Sequence, residues 1–196
     1  MLRIFSAVTV CTILATQMPS KALSSTATLG ERLFQFFEAL GKDDVLYTTK
    51  ASYQQINSRV DCVMRTKISS NTRQVRMCMR SEIHSPRLKP FLVKITYKRT
   101  KKCDVVTEGW SNGQYTLTVH YVGEKCVVYS VNDYEPLTPG MRACGIWRTN
   151  IDFNVPEYDE CEGNATQVCG SHWRPISSGN KCARVPTPEC KDYQDA

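Results

Sequence analysis

Cys126-Val-Val-Tyr129, Cys144-Gly-Ile-Trp147 and the run Val155-Pro-Glu-Tyr-Asp-Glu-Cys161 that leads on to Cys169 decide how this chain folds. Two short apolar stretches, each led by a cysteine, precede a segment that carries two more, the pattern of strands stapled to a helix. A strand cysteine bonded to an outside helix must face outward. Period-2 alternation then turns Val127, Tyr129, Gly145 and Trp147 to the opposite, inner side, where they would line a pocket. Cys161 and Cys169 lie eight residues apart, a little over two helical turns, so one helix can offer both sulfurs to the same sheet. That geometry suggests Cys126 with Cys161 and Cys144 with Cys169. Asn154-Val-Pro156 suits the helix start, with Glu157, Asp159 and Glu160 at the positive end of its dipole. The competing reading is a disulfide-rich secreted module with no cavity.

The N-terminus sets the compartment. Met1–Ala22 reads as a cleavable signal peptide, with Arg3 at its basic end, an apolar region from Ile4 to Ala15 and small residues around Ser20-Lys21-Ala22. Its apolar run is shorter than the ~20 residues that span a bilayer, so a membrane is not an expected partner. Ten cysteines, nine once Cys11 is removed, fit an oxidising, extracellular location. Asn164-Ala-Thr166 is a glycosylation sequon that the secretory route would use.

Residues 23–196 suit one domain with a real core and a cysteine-containing C-terminal extension. The net charge of +6 falls to +4 without Arg3 and Lys21. The densest basic run, Lys98-Arg-Thr-Lys-Lys102, reads as a solvated hairpin loop or a contact for an anionic partner such as a glycosaminoglycan. Nucleic acid is not an expected partner of a secreted chain without a binding module. An enzyme is a poor reading: His84, His120 and His172 lie in no nucleophile or metal motif. The cysteines lack the paired spacing of a zinc site, and no cofactor is implied.

Leu29, Leu33, Phe36, Phe37 and Leu40 recur at helical spacing between Thr26 and Leu40, with Gly41 as a stop. Eight β-rich runs follow: Val45–Tyr53, Val60–Ile68, Arg73–Ser81, Phe91–Tyr97, Asp104–Glu108, Tyr115–Val122, Cys126–Val131 and Cys144–Thr149. Val93, Ile95 and Tyr97 alternate with Lys94, Thr96 and Lys98, and Val75, Met77 and Met79 with Arg76 and Arg80, giving one dry and one wet face. Short turns, Ser111-Asn-Gly-Gln114 among them, suggest a closed up-and-down barrel or a sandwich.

With these elements in place, the chain resembles the salivary lipocalins of ticks, whose amine-binding members bind histamine. Those members carry Cys-Asp-aliphatic, then Glu-Leu-Trp or Tyr, then Cys. Here stand Cys126-Val-Val128, sixteen residues, Gly145-Ile-Trp147, thirteen residues and Cys161. The resemblance implies a mainly β fold: an eight-stranded antiparallel lipocalin barrel with an N-terminal and a C-terminal helix, stapled by disulfides. It also implies Cys62 with Cys182. Cys78 and Cys103 are then left for each other, and Cys190 is the odd thiol, free to compete for Cys62 or to bridge to another molecule.

The chemistry departs from that framework, because the family's Asp falls on Val127 and its Glu on Gly145. A buried ammonium needs a fixed carboxylate, and neither residue supplies one. Trp147 remains as the carried-over ligand residue, beside Tyr129, Val127 and Gly145. Glu82, Asp104 and Glu108 are the replacement acids to consider, although carboxylates face solvent by default. Arg65 points inward if Cys62 faces outward, which would suit a carboxylate ligand. The other register puts Cys62, Met64 and Ile68 inside and Arg65 and Lys67 in water, and hydrophobic patterning favours it.

The implied function is stoichiometric capture of a small host mediator, either a biogenic amine such as histamine or serotonin or a lipid mediator. The alternative is an inhibitor that binds a host protein and keeps a filled barrel, and a secreted hydrolase is the third. A buried acid would favour an amine, an inward Arg65 a carboxylate, and a barrel blocked by aromatic rings a protein partner.

Overall fold

Eight antiparallel strands run in sequence order around a closed sheet: β1 (Val45–Ala51), β2 (Val60–Ser70), β3 (Gln74–Ile83), β4 (Phe91–Arg99), β5 (Val105–Trp110), β6 (Gly113–Val122), β7 (Cys126–Val131) and β8 (Cys144–Thr149). The computed structural model describes residues 27–53, 60–83, 90–149, 159–177, 182 and 184–190. The expected signal segment Met1–Ala22 and the expected helix start at Asn154–Pro156 lie outside the described residues. Helix α1 (Leu29–Ala39) precedes the strands; helix α2 (Asp159–Cys169) and the two-residue strand β9 (Arg174–Pro175) follow them.

Closure rests on β1, which pairs with β8 on one side and, through Val45, Leu46 and Tyr47, with β2 on the other. Past Tyr47 the β1–β2 ladder stops, and the segment 174–177 fills the opening. Strand β9 pairs with Lys50 and Ala51, and the Ile176 amide donates to the Thr49 carbonyl at 2.8 Å. On the other flank Ser177 Oγ accepts from the Val63 amide at 3.1 Å and donates to the Val63 carbonyl at 3.3 Å. One hydroxyl thus replaces part of a missing ladder by pairing both backbone polar groups of Val63. Ile176 joins the apolar core of the interior.

Helix α1 closes one end. A capping box starts it, with Thr28 Oγ1 accepting from the Glu31 amide and the Glu31 carboxylate accepting from the Thr28 amide. Leu33, Phe34, Phe36 and Phe37 are buried on its inner face. The Gly30 amide donates to the Cys103 carbonyl at 2.7 Å, an approach so close that a Cβ on Gly30 would crowd that oxygen. Arg32 donates to the Val122 carbonyl, Lys67 Nζ to the Glu38 carbonyl, and Arg99 pairs with Glu31 at 2.8 Å.

The interior holds Val75, Met77, Val93, Ile95, Tyr97, Val127, Tyr129 and Trp147. Two further apolar clusters lie outside the wall. Helix α2 brings Cys161, Ala165 and Cys169 against Cys126, Val128, Cys144 and Ile146, so every residue of β7 is buried. The chain around Cys182 and Val185 covers Val45, Cys62 and Met64. The hydrophobic pattern of β2 is therefore satisfied from outside. This corrects the register that patterning favoured: Cys62 and Met64 face outward, Ile68 is exposed, and Arg65 is buried inside.

Among the described residues four disulfides are formed: Cys62–Cys182, Cys78–Cys190, Cys126–Cys161 and Cys144–Cys169. The expected Cys78–Cys103 bond is not made, and Cys103 is the free thiol. Geography explains it. Cys103 sits beside α1 at the closed end, whereas Cys78 lies on the outer face of β3, opposite Thr66, whose hydroxyl donates to the Pro188 carbonyl at 2.7 Å. The C-terminal segment passes over Cys78 and carries Cys190 with it.

His120, on the outer face of β6, has Nε2 2.8 Å from Ser130 Oγ. Burial first, and then the nearby Arg142, push its pKa down to about 4 from an ordinary 6.5, with Asp104 opposing them. Because the folded value is the lower one, the stability linked to the neutral ring is full above pH 6.5 and is lost as the pH falls towards 4. Melting temperature recorded from pH 7.5 downwards should therefore decline through this window, and less steeply in His120→Gln. Under native, non-reducing conditions a thiol reagent should label Cys103 alone. Cys78→Ser with Cys190→Ser should cost about 2–4 kcal/mol in urea unfolding, against little change for Cys103→Ser.

Candidate functional site

The β7–β8 register sets Val127 opposite Trp147 and Tyr129 opposite Gly145, which places the four expected pocket residues side by side on the inner wall. All four are buried. Gly145 is there to admit Tyr129: a Cβ at this position would overlap the Tyr129 phenol. The ring occupies the volume in which a longer side chain at position 145 would stand. The neighbouring strand thus fills this position with an aromatic ring.

Trp147 is the hub of the interior. Its ring lies 4.2 Å from Tyr129, 5.5 Å from Tyr97 and 5.9 Å from Phe37, centroid to centroid. The Arg65 guanidinium carbon stands 5.3 Å from the indole centroid, a cation–π contact in a dry setting. Arg65 is 5% exposed and donates from Nη1 to Thr48 Oγ1 at 2.7 Å.

The acid that answers Arg65 is Glu108. It follows Val106 at inward parity on β5 and is 8% exposed, and the Tyr97 hydroxyl donates to its Oε2 at 2.7 Å. Burial raises the pKa of Tyr97 and of Tyr129 well above the ordinary phenol value, so both stay protonated at neutral pH. Burial also works against the charge on Arg65, but the surrounding field outweighs it and holds the guanidinium protonated above its ordinary range. Tyr97 leads that field, followed by Glu108, Tyr129 and Tyr53. Arg65 and Glu108 are thus both buried in the interior, with Tyr97 hydrogen-bonded to the carboxyl group.

Among the described residues three buried side-chain donors have no partner, Arg32 Nε on α1 and two in this interior. Arg65 Nε and Trp147 Nε1 are buried without a hydrogen-bond partner. Each such group costs about 1–3 kcal/mol unless something accepts from it. Both belong to the cluster around Trp147. At the end away from α1, Tyr53, Tyr134, Tyr115 and Trp110 form a chain of ring contacts with centroids 4.6–4.9 Å apart.

The other acids considered from the sequence lie elsewhere. Glu82 pairs with Arg80 at 2.5 Å, and the Asp104 carbonyl accepts from the Val119 amide in the turn beside α1. Glu108 was legible by parity, because Val106 and Trp110 flank it at two-residue spacing; the solvent default for carboxylates hid it. Arg65 was legible from Cys62: an outward cysteine three residues earlier on a regular strand turns position 65 inward.

Neither a family model nor a curated relative matches the sequence. Solved structures do match in fold. Japanin from Rhipicephalus appendiculatus, determined with cholesterol bound, superposes with a TM-score of 0.54 at 13% identity, over 74% of this chain and 97% of that one. Apocrustacyanin C2 gives 0.54 at 10% identity over 79% and 89%, and lobster apocrustacyanin A1 gives 0.52 at 10% over 78% and 88%. The likeness is one of architecture: the chain has the lipocalin fold.

Removing one member of the buried pair should expose how the interior is balanced. Arg65→Met, which leaves the buried Thr48 hydroxyl without its donor, and Glu108→Gln, which alters the acceptor of the Tyr97 hydroxyl, should each destabilise by about 1–3 kcal/mol. The double variant should cost clearly less than the sum, as read by urea unfolding of all four proteins.

Proposed function

We propose that this chain is a secreted lipocalin that captures a small host mediator inside its barrel, one ligand per molecule and without turnover, as the salivary lipocalins it resembles do. The observation that carries this reading is the pair of unsatisfied donors, Arg65 Nε and Trp147 Nε1, buried in the interior. Both donate, so a complementary ligand brings an oxygen acceptor. A carboxylate on an apolar body meets the guanidinium and the indole N–H while its hydrocarbon packs against the apolar inner wall. Glu108 already accepts from Tyr97. An amine such as histamine or serotonin would have to compete for it. A lipid mediator is thus the better fit of the two ligand classes, and the ligand residues are Trp147, Tyr129 and Val127, beside Gly145, with Arg65 as the anchor.

The same reading makes the protein extracellular. Four disulfides support it, and among the described residues no helix is long and apolar enough to cross a membrane. Asn164, on α2, is the proposed glycan site; its amide donates to the Glu160 carbonyl at 2.9 Å. The proposal calls for no cofactor, metal or nucleic acid.

One observation favours a second reading. Phe37, Tyr97, Tyr129 and Trp147 pack against one another with centroids 4.2–5.9 Å apart, the filling expected of a barrel whose partner is a host protein outside it. Calorimetric titration of the disulfide-intact mature chain separates these alternatives. A long-chain fatty acid or a leukotriene should bind one to one, and Trp147→Phe, which deletes the N–H donor, should weaken that binding by about tenfold or more. Binding of amines alone would move the anchor to Glu108, and no heat with any of these ligands would favour the filled barrel.

A further inference from the structure

Trp147, Tyr97 and Tyr129 are deeply buried, so a ligand that reaches them must displace something. At one end α1 seats Leu33, Phe34, Phe36 and Phe37 in the core, and polar bonds from Gly30, Arg32, Lys67 and Arg99 tie it to the rim. The other end is crossed by the rings of Trp110, Tyr115, Tyr134 and Tyr53. Their places in the sheet show how far this row reaches. Trp110 ends β5, Tyr115 lies on β6, and Tyr53 follows the end of β1 by two residues. Strands β1 and β5 stand four apart in a ring of eight, on opposite sides of the barrel. Tyr134 belongs to the β7–β8 connection and joins the two halves of the row, with its ring 4.9 Å from Tyr53 and 4.8 Å from Tyr115. Without it the row is broken in the middle.

The connection that carries Tyr134, residues 132–143, is a strap with firm feet. At one foot the Asn132 amide donates to the Thr116 carbonyl at 3.0 Å, and Asp133 Oδ2 accepts from the Thr116 amide at 3.2 Å. At the other the Arg142 carbonyl accepts from Ser52 Oγ at 3.1 Å, and the Ala143 carbonyl accepts from the Val131 amide at 2.8 Å. Gly140, at φ 81°, makes the turn before this second foot in a conformation that a side chain would strain. Between the feet the hold is lighter. The Leu137 amide donates to the Ser52 carbonyl at 2.7 Å, Pro136 bridges to Tyr53, and Tyr134 keeps its ring contacts, while Glu135, Leu137 and Pro139 to Met141 are exposed. A segment with few buried contacts between two fixed points can open without unfolding the sheet. It also reaches the interior, because Tyr53 is hydrogen-bonded through its side chain to Tyr129, whose ring lies 4.2 Å from Trp147. We propose that residues 132–143 are the lid of the barrel, latched by Tyr134 between Tyr53 and Tyr115, and that a ligand enters and leaves at this end and not past α1. The lid presupposes the reading that a ligand is held inside.

Two readouts on the disulfide-intact protein keep the lid apart from the ligand. The first needs no ligand: hydrogen–deuterium exchange of the Trp147 indole N–H, its NMR signal identified by its loss in Trp147→Phe. This N–H is buried without an acceptor, so it exchanges only when water reaches the interior. Tyr134→Ala should speed the exchange about tenfold, beyond what any loss of stability in urea accounts for. Leu137→Pro, which deletes the amide bonded to Ser52 and touches no ring of the row, should act in the same direction. Phe36→Ala loosens the α1 end and, with its own loss of stability allowed for, should stay within about twofold of the parent. The second readout is stopped-flow binding of cis-parinaric acid, a fluorescent long-chain fatty acid. A lid shut in both the free and the loaded protein sets rates and not affinity, so Tyr134→Ala should raise the association and dissociation rates together about tenfold and change Kd less than about threefold. The lid is overturned if Tyr134→Ala exchanges no faster than its stability predicts, if Phe36→Ala matches it, or if the dissociation rate alone changes. If parinaric acid does not bind while the exchange responds as expected, the lid stands and the capture of a fatty acid falls.

Discussion

The seam between β1 and β2 is the constraint on which the barrel depends. A sheet that closes on itself has no edge to protect, but here the two strands share only three residue pairs before they part. Arg174–Ser177 supplies what is missing, with backbone bonds to β1 and the Ser177 hydroxyl on both polar groups of Val63. The C-terminal third is therefore a piece of the wall. It must be held in place for the barrel to be shut, and Cys169 on one side and Cys182 on the other tether it to β8 and β2. The same tethers bring apolar cover to the outside of β2, β7 and β8, which is why these strands are buried on both faces.

Inside, the wall encloses Arg65 and Glu108 where hydrocarbon would be the simpler filling. Replacement of buried polar groups by apolar ones is often neutral or stabilising, so the two are poorly explained as a device for stability. On the proposed reading their arrangement serves recognition. Trp147 presents its ring to the guanidinium and turns its N–H to no protein acceptor, while Tyr97 holds the carboxylate. The interior thus combines apolar bulk with a small surplus of hydrogen-bond donors, the composition that gives a ligand pocket its orientation preference.

Much of this was readable beforehand, for definite reasons. Strands β7 and β8 run over Cys126–Val131 and Cys144–Thr149, the bounds that their alternation implies, because each is framed by a cysteine and by turn residues. The remaining strands differ by one or two residues at one or both ends: β2 to β6 run on where pairing carries the ladder past the apolar pattern, as at Ser69 and Ser70 of β2, while β1 stops at Ala51, two residues short of Tyr53. Strand β9 carried no signal, since two residues including a proline have no period. The facing of β2 was misjudged because apolar patterning records burial without saying by what. Met64 is buried by the Cys182 segment and not by the barrel. Cys78–Cys190 escaped for a related reason: no local pattern reveals that the last described residues cross β3. Val127, Tyr129, Gly145 and Trp147 were placed on the inner wall by parity alone, yet Gly145 proved to be the space for Tyr129, a relation between two strands that neither strand shows by itself.

The corrected bond has a consequence for a protein exposed to proteases. Cys62–Cys182 and Cys78–Cys190 both span the chain from residue 78 to residue 182. A single cleavage anywhere in that interval leaves the two fragments joined by at least two covalent links, one on β2 and one on β3. Had Cys78 bonded to Cys103, a cut between Cys103 and Cys126 would have left only the Cys62 link. As built, a chain nicked in that interval keeps both parts of its barrel joined through β2 and β3.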